Sequence, residues 1–150
     1  MNKLQEKLNF LLDKYSVSEK AVLKNDKTVV INGQEIPLFA HRSERRFIEL
    51  RNIVNNGTLK GISVMRVARI IEKDADINEV IYRELDLCQW ILGSEIEKIT
   101  AVKNDNTLNM IARTKSGIVC TIEISATLKN GAKAVDKHEI IAERGTACDV

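Results

Sequence analysis

The sequence predicts an α+β fold: a mostly antiparallel β-sheet left open on one face, with helices packed on the other. Three observations carry this. Apolar residues recur at helical spacing in two stretches, Phe47, Leu50, Ile53 and Val54 in the first and Ile77, Ile81, Leu85, Cys88 and Leu92 in the second. From Glu95 onward the apolar period falls to two, most clearly where Ile118, Cys120, Ile122, Ile124, Ala126 and Leu128 alternate with Val119, Thr121, Glu123, Ser125 and Thr127. The connections in that half are short turns, and short turns make successive strands antiparallel neighbours. Helices followed by a meander give a two-layer domain with helices on one side of a sheet.

The elements follow in order. Leu4, Leu8, Leu11 and Tyr15 form the apolar stripe of a first amphipathic helix. A polar stretch, Ser16 to Lys27, has no clear period. Thr28–Ile31 and Glu35–Phe39 flank Asn32-Gly33, a strong hairpin signal, and Pro37 confines its strand to an edge. Ser43 is the expected N-cap of the next helix, and Asn55-Asn56-Gly57 ends it. Gly61–Ile71 reads as a strand in which Arg66 and Arg69, three apart, point to opposite faces. Asp76 caps the following helix and Gly93 ends it. Strands then run from Ile96 to Val102 and from Leu108 to Arg113, through Ile118–Leu128 and Ala134–Ala142, to a last short strand. Residues 1–38 are expected as a helix-and-hairpin appendage and residues 39–150 as one sheet domain.

Composition narrows the function. With 150 residues, 44% hydrophobic and 29% charged, the chain reads as a soluble globular protein. No apolar run is long enough for a membrane span, and the N-terminus lacks the apolar core of a secretory signal, so a cytoplasmic location is expected. A net charge of +2 with interspersed signs, and six aromatic residues in all, give no nucleic-acid surface. Cys88, Cys120 and Cys148 are widely spaced with no paired metal-ligand motif, so neither disulfides nor a metal site is expected.

Several segments match a known family in order and spacing. His41-Arg42 precedes Glu49–Ile62, which ends in Gly57-Thr58-Leu59-Lys60-Gly61-Ile62. Asp86-Leu87-Cys88-Gln89-Trp90-Ile91-Leu92-Gly93 follows, then Thr114–Glu123 and finally His138–Thr146 with its Gly145-Thr146 turn. This set, covering about two-thirds of the chain, resembles the C-terminal domain of the glucose–fructose oxidoreductase and inositol dehydrogenase family of NAD(P)-dependent enzymes. The resemblance implies an open sheet that binds a sugar- or polyol-like substrate and joins subunits. It implies NAD or NADP for the family, bound by a separate Rossmann domain, and no Gly-x-Gly-x-x-Gly follows a strand here, so no cofactor is expected on this chain alone. Glu35-Ile36-Pro37 is not the family's Glu-Lys-Pro motif: its middle residue is isoleucine and it lies too close to Arg42.

Counting back from Trp90, Glu79 and Arg83 stand where the family often carries an aspartate and a histidine. Arginine stays protonated and cannot serve as a base. Glu79, Arg83 and Asp86 are therefore substrate-binding candidates by resemblance, with no catalytic residue assigned. Glu79 and Arg83, four apart on a helix, equally suit a surface ion pair, and Asp86 equally suits a cap that orients neighbouring backbone. His41, Arg42 and Arg66 are candidates for the edge of the site, although His41 and Arg42 also read as a helix-start cluster with Glu44. His138 shares a strand face with Ile140 and reads as a packed, hydrogen-bonded histidine. A sheet face carrying Met65, Val67, Val135 and Ile141 is too apolar for water and predicts a homodimer through the open sheet. The expected function is the substrate-binding and dimerising domain of an NAD(P)-dependent oxidoreductase, unable to transfer hydride alone. The alternative is a free-standing, non-catalytic binding or assembly module that kept the fold.

Overall fold

A computed structural model describes residues 3–149. Contacts divide the chain into two compact units, Met1–Ser43 and Glu44–Val150.

The first unit contains helix α1 (Lys3–Lys14), strands β1 (Ala21–Asn25), β2 (Thr28–Ile31) and β3 (Gln34–Pro37), and a 3₁₀ turn (Ala40–Ser43). The strands form an antiparallel sheet in sequence order. Asn32 and Gly33, with φ of 50° and 79°, make the tight turn between β2 and β3, and Pro37 lies on the edge strand. The polar stretch before this hairpin contains β1, which sequence reading passed over because its only buried residue is Ala21. The helix also sits differently from its expected stripe. Leu4, Leu8 and Leu12 are half-buried, whereas Leu11 and Tyr15 are exposed. Gln5 explains the choice of face: its side chain accepts from the Leu23 N–H at 2.8 Å and donates to the Ala21 carbonyl at 3.3 Å.

The second unit contains α2 (Arg45–Asn55), β4 (Ile62–Glu72), α3 (Ile77–Leu92), β5 (Ile96–Lys103), β6 (Thr107–Thr114), β7 (Val119–Leu128), β8 (Val135–Ala142) and β9 (Gly145–Cys148). The sheet order is β5-β6-β7-β4-β8-β9. All pairs are antiparallel except β4 with β7. The Asn130-Gly131 turn therefore does not join neighbours: β7 and β8 lie on either side of β4. A connection of several residues spans the two strand spacings, roughly 10 Å, that this requires.

Asp76 caps α3, its carboxylate accepting from the Asn78 N–H at 2.9 Å, and left-handed Gly93 closes it. Ser43 caps nothing: its hydroxyl donates to the Ala40 carbonyl, and Glu44 holds the N-cap position of α2 without a side-chain bond. Helices α2 and α3 cover one sheet face through Phe47, Leu50, Leu87 and Ile91, which meet Val67, Ile122, Ile124 and Ile140 in the buried core. Cys88 and Cys120 are buried there and Cys148 is exposed.

Register assigns the open face. Val64 pairs with Ile141 and Ala68 with Lys137 and Glu123, so these side chains share it with Arg66 and Glu139. Met65 and Val67 belong to the opposite, helix-covered face and are buried, not on the open side as expected from sequence. Both parities of β4 are apolar, so alternation alone could not choose between them.

Candidate functional site

The most chemically organised place in the second unit is a buried ion network between the helices and the sheet. His138 on β8 faces the helices because every second residue of that strand does. Its Nε2 lies 2.6 Å from Glu84 Oε2 on α3, and its Nδ1 lies 2.8 Å from Asp149 Oδ2. Glu84 and His138 are fully buried, and the Asp149 side chain is 2% exposed. Asp149 is held by backbone as well: its Oδ1 accepts from the His138 N–H at 2.7 Å, and its own N–H donates to the His138 carbonyl at 3.1 Å. The Phe47 ring packs edge-on against the His138 ring at 4.7 Å.

Three arginines surround this centre. Arg69, the inward arginine of β4, donates to Glu84 Oε1 at 2.5 Å. Arg46 on α2 donates to Asp149 Oδ2, Asp136 Oδ2 and Glu44 Oε2, each at 2.9 Å. Arg83 on α3 reaches Glu84 Oε1 at 3.1 Å, Asp136 Oδ2 at 3.3 Å and Glu44 Oε1 at 3.2 Å. The Phe47 ring lies beneath the Arg46 guanidinium at 4.3 Å.

Charge balance follows from this geometry. Three guanidiniums face the carboxylates of Glu44, Glu84, Asp136 and Asp149, so a protonated His138 makes the network neutral. Burial alone would favour neutral His138, but its hydrogen bonds to Asp149 and Glu84 outweigh it and raise its pKa above the ordinary value. Burial likewise opposes ionisation of Glu84, Asp136 and Asp149. Bonds to His138 for Glu84 and Asp149, and to Arg46 for Asp136, win and lower all three.

The network is a clasp more than a reaction centre. A general base must reach the proton it takes, and both ring nitrogens of His138 are occupied by carboxylates inside the core. Oxygens of Glu84 and Asp136 and a nitrogen of His138 lie within 4.8 Å of one another, a spacing that could hold a metal ion. The donor set argues otherwise, because Glu84 and His138 are bonded to each other and Arg46, Arg69 and Arg83 already supply the positive charge.

A dinucleotide is also poorly matched. Such a cofactor needs a glycine-rich strand-to-helix turn whose free N–H groups take the pyrophosphate. Here β4 leads into α3 through Lys73-Asp74-Ala75-Asp76, without glycine, and the Asp76 carboxylate already accepts from the helix N-terminus.

The sequence-derived candidates fall in different places. Glu79 is exposed on the first turn of α3. Arg83 joins the clasp, and Asp86, farther along the same helix, is buried. Arg66 points to the open face, its Nη1 3.7 Å from Glu139 Oε2, and with Ala68, Glu123, Lys137 and Cys148 it borders a depression there. His41 and Arg42 belong to the first unit, where both pack on Phe39, Arg42 with its guanidinium 4.1 Å from the ring centroid. Sequence reading missed Glu84, Asp149, Arg46 and Asp136 as one group. The available signal was a charge among apolar positions, since Glu84 lies three residues after Ile81 and four before Cys88 on the inner stripe of α3.

No protein-family model matches the chain, and no curated protein sequence does. Solved structures do match. The myo-inositol dehydrogenase of Lactobacillus casei, in complex with NAD(H) and myo-inositol, superposes with a TM-score of 0.64 and 21% identity, over 75% of this chain and 38% of that one. A protein described as a probable dehydrogenase from Thermotoga maritima gives a TM-score of 0.62 at 21% identity, over 74% of this chain and 40% of its own. A myo-inositol dehydrogenase from Corynebacterium glutamicum gives 0.60 at 14% identity, over 73% and 39%. The chain spans about 40% of the length of these dehydrogenases, and at such identities the likeness is one of fold. This chain carries the α+β sheet fold of the C-terminal domain of inositol dehydrogenase-type oxidoreductases, members of the glucose–fructose oxidoreductase family.

Proposed function

We propose that the chain is a binding and assembly module of oxidoreductase design that forms a homodimer through its open sheet face and does not transfer hydride on its own. The observation that carries this reading is the engagement of Arg83. The residue standing where the family often has histidine is tied to Glu44, Glu84 and Asp136, and so serves the clasp rather than a reacting substrate. The homodimer is supported by Val64, Ile70, Val135 and Ile141, apolar residues on the open face among charged ones. A cytoplasmic setting belongs to the same reading; among the described residues no helix is long and apolar enough to cross a membrane. Calorimetric titration of the full chain with NADH and NADPH tests the first claim, with no saturable heat expected from either. Tight one-to-one binding of a dinucleotide would overturn it. Thr121→Lys, at the middle of the open face, tests the second and is expected to abolish the open-face contact, seen as a fall in sedimenting mass.

The second reading is a substrate-binding and dimerising domain of an NAD(P)-dependent oxidoreductase, with Glu79, Arg83 and Asp86 facing a sugar or polyol. It is favoured by the fold shared with the Lactobacillus casei enzyme, which was solved with NAD(H) and myo-inositol. Saturable binding of myo-inositol that is lost in Asp86→Asn would select it.

A further inference from the structure

Strand β5 is one of the two outer strands of the six-stranded sheet and pairs with β6 on one side only. Every residue from Glu97 to Lys103 is exposed, on both faces. On β6, helix-facing Met110 and Ala112 are buried, but their β5 partners Ala101 and Ile99 are not, and Ile99 keeps 48% of its surface. The helical layer stops short of β5. On the other face Val102 is 66% exposed. An edge of this kind is a template for a further strand, and proteins commonly guard such edges with lysine. Lys98 and Lys103 could act as guards, so the arrangement of charge along the strand is decisive.

Two copies of one strand in a continuous antiparallel sheet are related by a two-fold axis perpendicular to it, which keeps each face and sets one residue opposite itself. With Thr100 at the centre, Ile99 meets Ala101 and Lys98 meets Val102, and Glu97, in a β-bulge between Ile96 and Lys98, falls beside Lys103 at the strand end, each twice. A centre at Lys98 sets lysine against lysine. A centre at Ala101 sets Ile99 against Lys103. A centre at Ile99 leaves Lys103 facing Glu95, which lies outside the strand and already bonds Lys115. The Thr100 register is the one that pairs the strand's acid with a base at both ends and covers the exposed apolar residues.

We propose that β5 pairs antiparallel with β5 of a second copy, centred on Thr100, joining two sheets edge to edge. This contact is separate from the open face and independent of the reading given above.

Sedimentation velocity of the full chain over a range of concentrations tests it, with circular dichroism confirming that each variant folds. Lys103→Glu and Glu97→Lys each set like charges opposite one another twice and are expected to weaken association about tenfold. The double substitution Glu97→Lys/Lys103→Glu restores opposite charges and is expected to restore association. The proposal fails if all four proteins sediment alike, which is the outcome for lysines that only guard the edge. It also fails if the double variant stays as weak as the single ones. Thr121→Lys separates the two surfaces: loss of association there, with none in Lys103→Glu, would assign self-association to the open face and overturn edge pairing.

Discussion

His138 Nε2 stands 2.6 Å from Glu84 Oε2, and both side chains are fully buried. The other ring nitrogen faces Asp149 Oδ2 at 2.8 Å. Ionised carboxylates only accept hydrogen bonds, so this geometry favours the ring with protons on both nitrogens, and its pKa is raised accordingly. One charged ring thereby ties α3, β8 and the residue after β9 together, and the arginines of α2 and β4 complete the set.

Glu84→Gln keeps the side-chain shape and removes its charge, taking from His138 one of its two buried carboxylates and from Arg69 its nearest one. Losing one partner of a buried pair costs about 3 to 5 kcal/mol, and urea denaturation followed by circular dichroism should show a loss of that order. His138→Gln should be comparably costly. The double variant should cost less than the two losses added, because each removes the same interaction. Additive losses would mean that the two groups stabilise the fold separately.

Stability should also fall on both sides of a pH window. The His138 pKa is raised above its ordinary 6.5, so its contribution is complete below that value and is lost as pH rises through the higher folded value. The pKa values of Glu84, Asp136 and Asp149 are lowered, so their contribution is complete above the ordinary carboxylate range near about 4 and is lost as pH falls through their folded values. The urea midpoint is therefore expected to be highest between about pH 4.5 and 6.5, to decline on the alkaline side and to drop in acid. In His138→Gln the alkaline decline should shrink. An unchanged decline would assign it to another group.

Gly61 combines two constraints in the turn into β4. Its φ is +67°, and an added Cβ would lie 2.9 Å from the Cβ of Glu143. Gly57 has a similar φ of +71° with nothing within 4 Å of the added atom. Gly57→Ala should cost about 1 kcal/mol, the left-handed penalty alone. Gly61→Ala should cost at least about 1 kcal/mol more, because the Glu143 side chain and its backbone must shift. Equal urea midpoints for the two variants would show that Glu143 yields without loss.

Much of this molecule is readable along the chain, and its limits have physical causes. The Asn32-Gly33 hairpin, the Asp76 cap and the Gly93 stop are local, each decided by residues within a few positions, and all three appear where their chemistry puts them. The opposite facing of Arg66 and Arg69 is equally local, since strand geometry demands it. β1 escaped because a strand with one buried residue leaves almost no periodic trace. Met65 and Val67 were assigned to the wrong face because β4 is covered by helices on one side and mixed on the other, so both of its parities are apolar.

By itself the sequence determined the α+β class, the order of the elements of the second unit and the packed character of His138, because period, caps and turns act over a few residues. Only the tertiary structure decided that β4 lies between β7 and β8, since strand neighbours depend on which edges meet and not on chain order. It alone brought Arg46, Glu84, Asp136 and Asp149 into one ion network around His138, from positions up to 103 residues apart. A charge on an apolar stripe signals that a partner exists, but which partner is settled by the register of the strands and the packing of the helices across them.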